Sequence, residues 1–241
     1  MYIYKFILPE ILLLVFSIYL ILYSVFSKKF FLNININLYR IISFLYLFLF
    51  LYSFLISIEL FFCGNFSIFF YCYIIDFYSF FCKSIVFLSY FIFILIIRYQ
   101  TRLLTFGISK EFFFFLSISL LFVCFSISSF NIFFLFLSLE GLTLISIIMV
   151  SIFGSNTLIL ESVINYFFIS AISSVFFILG IYLISIYLKI PLYYYNFKQN
   201  FCFSLNFDNY NINFYNFLLI FGVLLIIFFF LIKIGLFPFF F

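Results

Sequence analysis

The sequence predicts an all-α polytopic membrane protein with about seven transmembrane helices, the last of them discontinuous. Three observations carry this reading. Apolar residues make up 69% of the 241 positions and charged residues only 7%, against about 25% charged in a soluble domain, so no polar surface exists to cover a soluble core. The apolar runs are each near the roughly 20 residues that a helix needs to cross a bilayer. They are also continuously apolar, whereas the strands of a membrane barrel alternate polar and apolar positions.

The spans follow one another at 7–26, 41–62, 77–97, 111–128, 130–152, 162–188 and 214–241 as a single transmembrane domain over 1–241. The first is preceded by Lys5 and lacks a small-residue cleavage site, which predicts a retained helix. Glu10 follows Pro9 near its start, and Glu59 lies three residues from the end of the second span. Both are expected at the interface. Asp76 opens the third span, and Lys83, one to two turns in, has a stem long enough to snorkel. Glu111 opens the fourth, which is separated from the fifth only by the turn Ser128–Ser129–Phe130–Asn131. Glu161 opens the sixth, where a carboxylate favours a helix N-terminus. The stretch 189–213, with Lys189, Pro191, Lys198, Asp208 and several Asn, is the longest aqueous segment. Basic residues in alternate loops, six (Lys28, Lys29, Arg40, Arg98, Arg102, Lys110) against three (Lys5, Lys189, Lys198), predict an N-terminus on the outer side.

Composition also excludes several function classes. There are 50 Phe, 20 Tyr, no Trp, no His and one alanine, Ala171. Residues with AT-rich codons dominate, which we read as mutational bias in an AT-rich organelle genome. An aromatic nucleic-acid platform needs a basic groove around it, and 11 basic residues spread over the chain make none. Nucleic acid is not an expected partner; lipid is. Without His there is no histidine base and no histidine haem ligand. The seven Gly are isolated and build no nucleotide loop. Cysteines at 63, 72, 82, 124 and 202 form no C-x-x-C pair and read as buried free thiols. No metal, cofactor or catalytic residue is expected.

Two charges stand apart. Glu140 lies mid-span, with 28 uncharged residues before it and 20 after it. A carboxylate at that depth is costly and marks a functional candidate. Thr143, three residues on, shares its face. Balanced between burial and a neighbouring ammonium, such a carboxylate takes up and releases a proton; alternatively it forms a static ion pair that orients the bundle. Lys233 follows 24 uncharged residues in the last span. Pro238 removes a backbone donor and breaks or kinks that helix, and Gly235 loosens the turn between them. Broken membrane helices are tolerated against protein or a water-filled cavity and help hold ions. Lys233 is therefore either a proton acceptor or a side chain that snorkels from near the helix end.

The segments EFFFFLSISLLFVCFSISSFNIFFLFLSLEGLTL at 111–144 and ESVINYFFISAISSVFFILGIYLISIY at 161–187 resemble the subunit 2 family of the proton-translocating NADH:ubiquinone oxidoreductase, respiratory complex I. FFFLIKIGLFPFFF at 228–241 is similar to that family's broken seventh helix, and IIDFYSFFCKSIVFL at 74–88 to its third. The resemblance spans positions 74 to 241, and the related antiporter-like subunits 4 and 5 share the same Glu and Lys plan. It implies that Glu140 is the family's fifth-helix glutamate, Glu161 its sixth-helix glutamate, Lys233 its channel lysine and Pro238 its helix break. Glu140 and Lys233 are then the proton-transfer candidates, with Glu161, Asn165 and Lys83 as weaker ones.

The chain departs from the family at two positions. Asn165 stands where the family has a lysine, and Phe240 where it has a histidine. Glu140 is therefore expected to find its base on a neighbouring helix or subunit.

By resemblance the chain is one subunit of a proton-translocating NADH:ubiquinone reductase of the mitochondrial inner membrane, and it carries no redox chemistry itself. Since the family continues past its seventh helix, the expectation is a split gene, with this chain as the N-terminal half. Its expected partners are a separate polypeptide completing subunit 2 and neighbours such as subunits 4 and 4L. Two alternatives belong to other classes: a structural or assembly subunit of the same arm with degenerate proton residues, and an independent secondary transporter.

Overall fold

The chain is a multi-pass helical membrane protein. A computed structural model describes residues 2–26, 34–63, 66–68, 73–104, 110–153, 157–188 and 212–234. Seven helices are described: α1 (Tyr2–Phe26), α2 (Ile34–Cys63), α3 (Phe77–Leu104), α4 (Lys110–Ser128), α5 (Ile132–Phe153), α6 (Thr157–Leu188) and α7 (Ile212–Ile234). Six are long and apolar enough to cross a membrane, and α7 contributes a shorter apolar stretch, Phe217–Lys233. The expected break at Gly235 and Pro238, and the loop 189–211, lie outside the described residues. The chain divides into two compact units, Met1–Ser129 and Phe130–Phe241.

In the N-terminal unit, α2 packs along α3 and α1 along α4. Contacts at one end fix an up-and-down order. Lys5 near the start of α1 pairs with Glu59 near the end of α2 at 2.5 Å. Glu10 of α1 meets Lys83 in the early turns of α3. The core is built from Leu13 and Leu20 of α1, Ile42, Tyr46 and Leu49 of α2, Phe80 and Phe87 of α3 and Leu120 of α4. The Tyr46 ring meets Tyr90 edge-on at 6.2 Å, and the Tyr90 hydroxyl reaches Ser119 Oγ at 3.2 Å.

Sequence reading assigned no strand, yet the connection between α2 and α3 forms a small hairpin. Strand β1 (Phe66–Ile68) pairs antiparallel with β2 (Tyr73–Ile75) in the register Phe66↔Ile75 and Ile68↔Tyr73. An isolated two-stranded hairpin is marginal. This one is anchored because Tyr73 and Ile75 alternate inward and are buried, and because Tyr73 bridges to Ser129 at the end of α4. Asp76 then stands immediately before α3. Its N–H donates to Ser79 Oγ at 3.1 Å, a side-chain contact that closes the helix start.

Pro9 lies inside α1, not before it. Proline has no N–H, so the carbonyl one turn back, that of Lys5, loses its intrahelical donor. The Tyr52 hydroxyl of α2 supplies the replacement, donating to the Lys5 carbonyl at 2.8 Å. Serine hydroxyls in the spans solve the same problem locally. Ser53, Ser84, Ser117 and Ser138 each donate to the carbonyl three residues back in their own helix. A hydroxyl satisfied in this way adds no unpaired polar group to a hydrocarbon environment. Of the cysteines, Cys124 is buried as expected; Cys82, however, is exposed on α3.

In the C-terminal unit, Asn131 Oδ1 accepts from the Phe133 N–H at 3.1 Å and caps α5. α6 starts at Thr157, so Glu161 sits a turn inside the helix rather than at its first residue. α5 and α7 both pack on α6 around Phe177, Ile181 and Phe229. Phe177 is the hinge of this packing: it stacks on Phe136 at 5.3 Å and meets Phe229 at 4.5 Å. α6 and α7 cross where Gly180 meets Gly222. A Cβ added at Gly180 would lie 2.7 Å from the Gly222 carbonyl, and one at Gly222 would lie 2.9 Å from that of Gly180. Small residues of this kind let two membrane helices approach closely.

Two outcomes follow from these contacts. Gly180→Ala forces α6 and α7 apart and costs about 1–3 kcal/mol, read as a lower melting temperature of the protein in detergent. Tyr52→Phe removes the hydroxyl that donates to the Lys5 carbonyl, at a cost of about 1 kcal/mol. That cost shrinks in a Pro9→Ala background, where residue 9 regains its N–H, as a double-mutant cycle on unfolding would show.

Candidate functional site

α5 places Glu140 one helical turn beyond Phe136, and α7 places Lys233 one turn beyond Phe229. Since Phe136 and Phe229 both rest on Phe177, the same one-turn step along each helix brings Glu140 and Lys233 level. The Lys233 ammonium donates to Glu140 Oε1 at 3.0 Å and lies 3.4 Å from the Thr143 hydroxyl oxygen. Thr143 in turn donates to the Glu140 carbonyl at 2.9 Å. Its hydroxyl proton is thereby committed, and its lone pairs point toward the lysine. The Phe229 ring completes the surround, with Lys233 Nζ 5.4 Å from its centroid.

The pair is half-buried. The side chains retain 13% (Lys233) and 23% (Glu140) of their exposure, enough for contact with a molecule or chain beside them. The ammonium is thus held by two things: a full negative charge and an aromatic face. Chemically, the arrangement sets one acid against one base, with the lone pairs of Thr143 as a further acceptor beside the ammonium.

Glu140 therefore has an intrachain basic partner on a neighbouring helix. Glu161 and Asn165, the weaker candidates on α6, are both exposed. Neither shares a hydrogen bond or ion pair with Glu140 or Lys233 among the described residues. Gly235 and Pro238 lie outside the described residues.

Lys83 behaves differently from its snorkelling expectation. It is completely buried, donating to Glu10 Oε1 at 2.7 Å and to the Tyr73 hydroxyl at 2.6 Å. Glu10, expected at the interface, is itself 3% exposed. The reason is the hairpin, whose Tyr73 brings a phenol over the pair and donates to the same Glu10 oxygen at 2.5 Å. Burial, reinforced by the Glu10 carboxylate, pushes the Tyr73 phenol well above its ordinary range. Sequence reasoning missed this cluster because Tyr73 and Lys83 lie 63 and 73 residues from Glu10. The available signal was that Glu10 and Lys83 are the uncompensated charges of two successive odd-numbered spans.

No protein-family model matches the chain, and no curated protein is similar to it. No group of three or more metal-ligating side chains occurs among the described residues.

Removing either partner of the C-terminal pair leaves the other charge partly buried. Glu140→Gln and Lys233→Met each destabilise the protein by roughly 3 kcal/mol. The double variant loses less than the sum, with a coupling above about 0.5 kcal/mol. Chemical unfolding of the four proteins in detergent measures this, and strict additivity would deny the pair any energetic role.

Proposed function

We propose that this chain is a proton-transfer subunit in the membrane arm of a respiratory NADH:ubiquinone oxidoreductase of the mitochondrial inner membrane. The reading is supported by one observation above all: an acid and a base, Glu140 and Lys233, isolated in apolar helices and in direct contact at 3.0 Å. The family resemblance of the segments around them supplies the assembly. In this reading, electron transfer from NADH to ubiquinone takes place in other subunits. Lys233 is the proton carrier. Glu140 holds the Lys233 side chain in place through the 3.0 Å contact, with the Thr143 hydroxyl oxygen 3.4 Å from Nζ.

A second reading has its own observation. Lys233 is engaged at once by Glu140, Thr143 and the Phe229 ring, as a static pair that registers α5 against α7 would be. In that case the chain is a structural or assembly subunit of the same arm.

The two readings diverge in one experiment. The native assembly is isolated through a tag on this chain, and proton release per electron is measured in vesicles. On the proposed reading redox subunits copurify, and Lys233→Met lowers the proton yield several-fold while the chain remains inserted. An unchanged proton yield in that variant selects the structural reading, and isolation without redox subunits rules out both.

A further inference from the structure

We propose that the first turns of α6 are a docking surface for a transmembrane helix of another protein, one that sets a lysine or arginine against Glu161 and a hydrogen-bonding side chain against Asn165. The inference rests on how α6 is covered along its length and does not depend on the respiratory reading.

α6 is packed over only part of its length. Ser170, Ser173, Phe177 and Ile181 are buried, at the three- and four-residue spacing of a helix with neighbours on one side. Between Leu160 and Phe168, by contrast, no residue is buried, and every one except Val163 is exposed. That stretch is more than two turns long, so it samples every face of the helix. Nothing in the C-terminal unit covers it among the described residues.

Lipid tails suit an exposed apolar helix, but two side chains here are not apolar. The apolar span of α6 begins at Leu160, so Glu161 stands at its edge and Asn165 one turn further in. Four residues apart, they share a face, and Phe168 follows on it. Neither Glu161 nor Asn165 has a hydrogen bond or ion pair among the described residues. An amide carries two donors and one acceptor oxygen. Acyl chains satisfy none of them, whereas a polar side chain on an adjacent helix does.

Charge selects the occupant. Among the described residues of the C-terminal unit the basic side chain is Lys233, and Glu140 already holds it at 3.0 Å. A second copy inserted in the same sense would present the same patch, setting one Glu161 against another, and like charges repel. A different helix, with a basic residue at its membrane edge, is complementary to both groups. Its cation meets the carboxylate in a charge-assisted hydrogen bond, and its next turn meets the amide.

The test uses the full-length chain in its native membranes, with p-benzoylphenylalanine in place of Phe168, a position 59% exposed on the Glu161–Asn165 face. After irradiation, peptide mass spectrometry locates both ends of each adduct. The expected adduct joins position 168 to an apolar helix of another protein that carries Lys or Arg within about two turns of the cross-link. Glu161→Gln and Asn165→Leu, each at an unchanged level of inserted chain, lower its yield several-fold. Adducts to lipid alone, to this chain's own residues in the same or a second copy, or to a helix without a basic residue overturn the proposal. So does a protein adduct whose yield ignores both substitutions.

Discussion

Hydrocarbon solvates neither a charge nor a bare carbonyl, so each such group in a membrane span has to find its partner within protein. That constraint organises this chain more than any hydrophobic pattern does, because the helices are apolar nearly all round and one face is hardly distinguished from another. Polar contacts choose the faces. Pro9 strips a donor from the Lys5 carbonyl, and Tyr52 of a different helix supplies one. Glu10 has to be met by Lys83, which fixes how α1 stands against α3. Glu140 has to be met by Lys233, which fixes the level of α7 against α5.

Among the described residues the N-terminal unit has a buried acid–base pair and the C-terminal unit a half-buried one, and the two differ in how they are closed. In the N-terminal unit Lys83 is wholly buried, and a phenol from the hairpin shares the same carboxylate oxygen. In the C-terminal unit the pair keeps a measurable opening, and a hydroxyl and an aromatic ring take the place of the phenol. A buried ion pair is weak evidence of stability, since desolvating both charges offsets much of their attraction. In a chain with 7% charged residues, each pair fixes which helix faces meet more than it adds strength.

Packing without polar groups follows a different rule. Lipid tails are as apolar as leucine, so helices gain little from hiding apolar surface and more from close approach. The Gly180–Gly222 crossing and the Phe136–Phe177–Phe229 stack supply that approach in the C-terminal unit. Read along the chain, these glycines were isolated and these phenylalanines were six per cent of a very common residue; neither drew attention.

Much of the fold was legible before any coordinates. Span length and continuous apolarity gave the helices, because in a bilayer only a helix satisfies its own backbone over such a run. Isolation in apolar sequence singled out Glu140 and Lys233, because the cost of a mid-span charge is local and independent of neighbours. Which acid meets which base was decided only in three dimensions. Glu10 and Lys83 looked like interfacial charges until the hairpin covered them, and that hairpin is marginal by itself and exists through its docking on α4. Glu140 and Lys233 meet because three phenylalanines set two helices level. The sequence by itself determined that Glu140 and Lys233 stand isolated in apolar spans, since isolation is a property of one residue and its span. Only the tertiary structure decided their partners, since a hydrogen bond at 3 Å depends on the relative height and rotation of two helices, which no single helix encodes.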